Sequence, residues 1–292
     1  MRKKSDKAGA VSMLPAPVAA SEMPDNAGAV ASIIAEGADR NFVEALARGL
    51  RILQAFHSSE ERLSNLEIAH RCGLPKSTVT RLTYTLTTLG FLHHIADLGR
   101  YRIGLATLTL AHVAHARLDL RAASDVALQE LADSTRTMIS LGIRDDLSVL
   151  YIDCRRSQAT AITLNLDVGS RLALGTTAVG RAHITLMGAA ERRAVMQRLQ
   201  ALSEVQWPAI EQGIERAFTE LSEIGCVTSF GEWNKEINGI AVPLRLGSEL
   251  PPVVINAAAP SRTVSAEKFI TDVRPRLIAT AHMIENRYRR HG

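Results

Sequence analysis

The stretch Ser64–Gly90 constrains the fold more tightly than any other part of the chain. Ser64 stands three residues ahead of Glu67. That is the spacing of a capping box, in which each side chain accepts from the other's backbone N–H. The spacing predicts a helix from about Asn65 to Cys72, with Ile68 and Ala69 facing inward. Gly73 then supplies the positive φ that a sharp turn requires. Pro75 is expected in the first turn of the next helix, where its missing N–H is no loss. That next segment, Lys76–Thr88, is rich in threonine, a poor helix former, yet Val79, Leu82, Leu86 and Leu89 recur at helical spacing. Ala69 is small enough to let the two helices approach, and Val79 and Leu82 close a small core between them. This is the pattern of a helix-turn-helix. An amphipathic helix over Phe42–Phe56, carrying Val43, Leu46, Ala47, Leu50 and Leu53, precedes it.

The opposite face of the second helix carries Ser77, Thr80, Arg81, Tyr84 and Thr88 at 3.6-residue spacing. A solvated face would ordinarily mix Glu and Lys, but no acid occurs from Lys76 to Ala96. A DNA major groove about 12 Å wide admits slim polar side chains, and an arginine can grip guanine or a phosphate. Lys76 and Ser77 lie at the helix N-terminus, where backbone N–H groups favour a phosphate. Beyond Gly90, Phe91–Ile95 and Arg100–Ile103 flank the turn Asp97-Leu98-Gly99 and read as a β-hairpin, the wing of a winged helix. Arg100 and Arg102 alternate with Tyr101 and Ile103, so both are expected on one side. The residues expected to meet DNA are Arg48, Lys76, Ser77, Thr78, Thr80, Arg81, Tyr84, Arg100 and Arg102.

Charge supports this reading once it is divided along the chain. The whole sequence has 34 Lys and Arg against 30 Asp and Glu. Residues 1–40 and 118–292 are each balanced. The excess falls in 41–117, where nine basic side chains (Arg48, Arg51, Arg62, Arg71, Lys76, Arg81, Arg100, Arg102, Arg117) face five acidic ones (Glu44, Glu60, Glu61, Glu67, Asp97). A positive module beside a neutral one is suited to a polyanion.

The remainder reads as a linker and a second domain. A helix is expected over Leu105–Leu118, with Leu105, Leu108, His112 and His115 near one face. It packs on its own domain or pairs with its copy in a dimer. Another helix covers Ala122–Thr135. Met138–Ile143 and Ser148–Asp153 flank Asp145-Asp146 as a hairpin. Ala161–Leu164, Ile237–Leu244 and Pro252–Ala258 read as strands. Val179–Met187, Glu191–Leu202, Trp207–Ile224 and Ala266–Arg289 read as helices. Ser229–Trp233 reads as a loop. The class is α+β, an antiparallel sheet covered by helices.

Several functions are disfavoured. Cys72, Cys154 and Cys226 form no CxxC pair, which argues against a disulfide scaffold or zinc cluster and fits a reducing cytoplasm. His93-His94 point to opposite faces of a strand, so no metal is expected. No run of about 18 apolar residues is present to span a membrane. The basic, alanine-rich N-terminus imitates a signal peptide, but Pro15 and Pro17 interrupt it, and a disordered tail to about residue 40 is expected. No catalytic constellation and no cofactor motif stand out. Gly175–Gly180 offers a helix N-terminus with two hydroxyls, a modest anion site or an ordinary cap. Cys226 has no histidine partner and reads as a buried thiol. An enzyme with a regulatory DNA-binding module and an architectural DNA-binding protein without a ligand are the alternatives.

Both halves resemble the IclR family of bacterial transcriptional regulators. The first half carries Leu66-Glu67-Ile68-Ala69, Gly73–Leu82 and Gly99–Gly104. The second carries Val168–Arg171, Thr177–Ala182, Glu232-Trp233 and Gly239–Pro243. The resemblance implies a winged helix-turn-helix (41–104), a linker helix (105–119) and a GAF-like effector domain (120–292). It implies homodimers, often paired into tetramers, on a pseudo-palindromic operator of double-stranded DNA. It also implies a small effector, commonly an organic acid or aromatic catabolite. Carried over by position, the pocket involves Thr177, Ala178, Val179, Gly180, Ser229, Gly239, Asn256 and Ala258. Arg181 departs from the lysine usual at its place. Gly239, Ala257 and Ala258 suggest a roomier wall, with Asn256 as one polar contact.

Overall fold

The computed structural model describes residues 42–56, 62–116, 120–157, 164, 166–247 and 251–291, without the side chains of 112–116, 121–123 and 290–291. The expected tail to residue 40, residues 161–163 of the expected strand Ala161–Leu164, and the side chains of His112 and His115 lie outside these. Leu164 itself belongs to no strand.

Among the described residues, the first domain is three helices and a small sheet. Helix α1 (Glu44–Gln54) has Glu44 in its first turn and Arg51 in its last, which complements the helix dipole. Strand β1 (Leu63–Ser64) leads into α2 (Asn65–Cys72). Ser64 caps α2: its hydroxyl accepts from the Glu67 N–H, and its own N–H donates to Glu67 Oε2 at 2.7 Å. Gly73 ends α2 with φ +61°. Helix α3 (Lys76–Thr88) follows with Pro75 at its N-cap, one residue outside the turn where the sequence places it. With ψ at 139°, Pro75 is extended and its carbonyl still accepts from the Val79 N–H. Strands β2 (Leu92–Ile95) and β3 (Arg100–Ile103) form the wing, with Gly99 at φ +58°. The sequence reading misses β1, which pairs with the outer edge of β3. Ile52, Leu63, Ile68, Cys72, Val79 and Leu92 are buried together as the core.

The inner stripe of α3 differs from expectation at its end. Val79 and Thr83 are buried, Leu82 and Leu86 are partly buried, and Leu89 is 60% exposed. Thr83 tolerates burial because its hydroxyl donates to the Val79 carbonyl at 2.9 Å. Thr80, Thr85 and Thr88 likewise donate to carbonyls one turn back. These four threonines therefore satisfy themselves on the helix, whereas the buried Thr87 hydroxyl has no partner among the described residues.

Helix α4 (Ala106–Ala116) leads to α5 (Leu120–Thr135). The second domain holds a six-stranded antiparallel sheet: β4 (Met138–Asp145), β5 (Ser148–Arg155), β6 (Arg171–Ala173), β7 (Val227–Phe230), β8 (Ile237–Leu244) and β9 (Val253–Pro260), in the order β6-β5-β4-β9-β8-β7. Beside it stand α6 (Ala178–Thr185), α7 (Ala189–Leu202), α8 (Trp207–Ile224), a short α9 (Ala266–Lys268) and α10 (Arg274–His291). One core lies between the sheet and α5 with α10. The other lies between the sheet and α6 with α8. The interior strands β8 and β9 are therefore buried on both faces and read as near-continuous apolar runs.

Three details correct the sequence reading. Ser229 lies on β7, opposite Gly239, and not in a loop. Strand β6 is a three-residue edge that the sequence does not announce. The closing helix is interrupted by a π-turn at Phe269–Val273. Pro275 follows two residues on, and its missing N–H and its ring disfavour an ordinary α-turn there.

Candidate functional site

Two surfaces collect the sequence-derived candidates. The first is the outer face of α3, where Lys76, Ser77, Thr80, Arg81, Tyr84 and Thr88 are all exposed and Tyr84 is 73% exposed. Thr78 is half-buried at the helix start. The two wing arginines differ. Arg102 is exposed and ion-pairs with no carboxylate among the described residues. Arg100 donates to the Arg62 carbonyl at 2.9 Å and lies 3.3 Å from Glu67, so it ties β3 to the start of α2. Glu67 is held below the usual carboxylate range, chiefly by its hydrogen bonds from Ser64. Arg48 on α1 pairs with Glu44 one turn back.

The second is a narrow, half-open cavity of about 20 Å³ on the α6 side of the large sheet. Thr177, Ala178 and Val179 contribute the start of α6. Ser229, Gly239, Asn256 and Ala258 contribute three adjacent strands. The eighth expected residue, Gly180, does not line the cavity. It packs on the backbone of Leu174, where a Cβ would lie 2.3 Å from the carbonyl oxygen. The sequence reading misses Tyr151, Leu166, Leu172, Trp233 and Ile237, which complete the lining. The inward alternation of β5 points to Tyr151. Ile237 opens the expected strand Ile237–Leu244, whereas Leu172 lies on the edge strand β6 and Leu166 and Trp233 lie in connections with no periodic signal.

Much of the cavity's polarity is committed locally. Thr177 caps α6: its hydroxyl accepts from the Gly180 N–H and donates to the Ala173 carbonyl. The N–H groups of Ala178 and Val179 remain at the first turn, where helices leave them unpaired. The Asn256 amide lies 3.1 Å from the Tyr151 hydroxyl and 3.4 Å from Ser140 Oγ. Burial raises the Tyr151 pKa well above its ordinary value, so the phenol is neutral. None of the lining residues is charged. Its walls offer an apolar surface with a few neutral donors and acceptors, and they must part to admit a molecule much larger than water.

Charged groups stand just behind the wall. Arg181, 2% exposed, donates from Nε to the Gly175 carbonyl at 2.9 Å and from Nη1 to Glu232 Oε2 at 2.8 Å. Arg216 holds the other Glu232 oxygen at 2.5 Å. Burial works against both charges. At Glu232 the two arginines outweigh it and hold the carboxyl below its ordinary value, while the pKa of Arg181 is lowered. His183 is also buried on α6, on a different face of the helix. Its Nε2 donates to the Gly142 carbonyl at 3.1 Å, where the β4–β5 register shifts. Burial lowers its pKa to about 4. Cys154 and Cys226 are pushed up to about 12, chiefly by burial, so neither is a poised thiolate.

Comparison with known proteins decides the family. The IclR helix-turn-helix domain matches residues 45–95, and the bacterial transcriptional regulator IclR C-terminal domain matches residues 112–286.

The chain belongs to the IclR family of bacterial transcriptional regulators.

Among IclR relatives, the HTH-type transcriptional regulator TsaQ1/TsaQ2 of Comamonas testosteroni is 30% identical over 236 residues, 80% of this chain and 84% of its own. The crystal structure of an IclR family regulator from Brucella abortus is similar at 37% identity and a TM-score of 0.74, covering 86% of this chain and 94% of that one. An IclR homologue from Microbacterium hydrocarbonoxydans, solved in complex with 4-hydroxybenzoate, shares the fold at 22% identity and a TM-score of 0.68, covering 85% and 100%. Among the described residues, no helix is long and apolar enough to cross a membrane.

Proposed function

We propose that this IclR-family regulator reads a pseudo-palindromic operator in the cytoplasm and changes its occupancy when a small aromatic or organic acid fills the cavity. The winged helix-turn-helix spans 41–104, the linker helix 105–119 and the effector domain 120–292. Helix α3 enters the major groove with Lys76, Ser77, Thr78, Thr80, Arg81 and Tyr84. Arg48, Arg100 and Arg102 supply backbone contacts. Phosphate contacts give affinity and base contacts give choice. Leu105, Leu108 and Leu110 are exposed on and beside α4, as are Val43, Leu46 and Leu50 at α1. These faces support self-association into a dimer, which sets the spacing of two α3 helices.

The observation that carries this reading is the uncharged cavity walled by the start of α6 and three strands, in a chain whose α3 displays hydroxyls, Arg81 and no acid. The 4-hydroxybenzoate of the Microbacterium homologue supports an aromatic ligand. The domain has no turnover in this reading: burial keeps Cys154 and Cys226 as protonated thiols. Genomic DNA pulled down on the protein should yield a single palindromic element. A thermal-shift screen should find a small acid or aromatic that stabilises the protein by about 2.7 kcal/mol at 100 times its Kd. Failure to enrich any DNA element refutes the regulator reading. Enrichment without a stabilising ligand favours the architectural alternative, and mass-spectrometric detection of product favours the enzyme.

A further inference from the structure

The cavity has two walls that are far apart in the chain. One is the corner at Gly175–Val179. The other is the β7–β8 connection and its flanking strands, from Ser229 to Ile237. Two bonds join these walls. The Ser229 hydroxyl donates to the Thr176 carbonyl at 3.0 Å. Arg181 spans the same gap from behind, with the Gly175 carbonyl on Nε and the Glu232 carboxylate on Nη1. The residue after Glu232 is Trp233, whose side chain lines the cavity. Gly231, just before, has φ +69° and donates to the Ile237 carbonyl at 3.0 Å, closing the base of the connection.

We infer that Arg181 and Glu232 form a latch that holds Trp233 against the cavity, making Arg181 a positioning residue for the effector site. The assignment rests on reading the cavity as that site. The two partners are unequal. The Arg181 side chain is 2% exposed and that of Glu232 30%. If Glu232 swings out, its carboxylate reaches water, but Arg181 keeps a buried charge with only the Gly175 carbonyl on it. Removing one partner of a buried pair is far costlier than removing a surface one. The closed position is therefore strongly preferred, and Trp233 follows Glu232. Arg216 is 42% exposed and grips the outer oxygen. It steadies Glu232 without facing the same desolvation. A molecule that packs beneath Trp233 keeps the latch shut, whereas one that pushes Trp233 outward works against it.

The chain contains two tryptophans, Trp207 and Trp233. Trp207→Phe leaves Trp233 as the reporter. If that core change lowers stability, the difference between parent and Trp233→Phe spectra isolates the same signal. In full-length protein without ligand, Glu232→Gln should red-shift Trp233 emission and raise its acrylamide quenching constant about twofold as the open population grows. Arg181→Lys keeps the charge but cannot reach both partners, and should give an intermediate value. Arg216→Ala should change it least. Unchanged quenching in Glu232→Gln and Arg181→Lys, both folded by circular dichroism, overturns the latch. If Glu232→Gln does not fold, Arg181→Lys alone decides. A second arm titrates 4-hydroxybenzoate as probe. Weaker binding by the quenching-sensitive variants supports the latch, and equal binding by all variants overturns its role at the site. If the probe binds none of them, the choice of probe and the effector reading fail, while the fluorescence arm still judges the latch.

Discussion

The guanidinium of Arg181 occupies the place that a side chain on Gly213 would need. A Cβ there would lie 2.2 Å from Nη2 and 2.3 Å from Cζ. Helix α8 approaches α6 at this point because one residue is large and the other has no side chain. Arg181 is buried and bonded at both ends, so it has little room to yield. Gly213→Ala should cost about 1–3 kcal/mol in urea unfolding, despite the better helix propensity of alanine. In a double-mutant cycle, Arg181→Lys should relieve part of that cost, with coupling of about 0.5–3 kcal/mol. Strict additivity would separate the two residues.

His183 makes stability depend on acidity. Its folded pKa is about 4 against an ordinary 6.5, with burial as the first cause. Between those values the unfolded chain binds the proton and the folded chain does not, so stability falls as pH drops. Its contribution is complete above pH 6.5 and is lost by about pH 4, on the order of 3 kcal/mol in all. His183→Gln keeps a donor for the Gly142 carbonyl and cannot titrate. Urea midpoints at pH 7.5 and pH 5 should draw closer together in that variant than in the parent.

Two glycines near the cavity should respond unequally to the same substitution. At Gly180 a methyl group meets the Leu174 backbone, and Gly180→Ala should lose about 1–3 kcal/mol. At Gly239 the nearest atom is 3.4 Å away. Gly239→Ala should stay within about 0.5 kcal/mol of the parent, while narrowing the cavity and weakening any ligand found by thermal shift. Equal loss of stability at both sites would contradict these packing distances.

On DNA, Arg81→Ala should weaken binding to the cognate operator by about 1–3 kcal/mol more than binding to random duplex. Arg102→Ala should weaken both alike and lower the salt slope by about one. Arg100→Ala should also lower thermal stability, because Arg100 ties β3 to Arg62 and Glu67. Gel shifts at several salt concentrations, with a melting curve for each variant, distinguish the three.

The first domain was highly legible because its signals are local. Ser64 and Glu67 are three residues apart, Gly73 needs a positive φ, and Lys76–Thr88 carries a helical period. All of these are readable over one or two turns. The error at Leu89 has a local cause as well. A hydrophobic residue at the end of a stripe looks internal until the chain is seen to leave the core there. In the second domain the long strands were legible, but β6, β7 and the lining from Leu166, Leu172 and Trp233 were not. Short edge strands take their conformation from a neighbour and carry little pattern of their own.

Local chemistry in the chain fixed the capping box, the turn, the acid-free face of α3 and the broad α+β class, because helix starts, glycine turns and apolar periods are set by near neighbours. The pairing of Ser229 with Gly239, the packing of Arg181 on Gly213 and the arrival of Glu232 at a guanidinium 51 residues away belong to the tertiary structure alone. These depend on strand register and helix approach, which the whole core decides together.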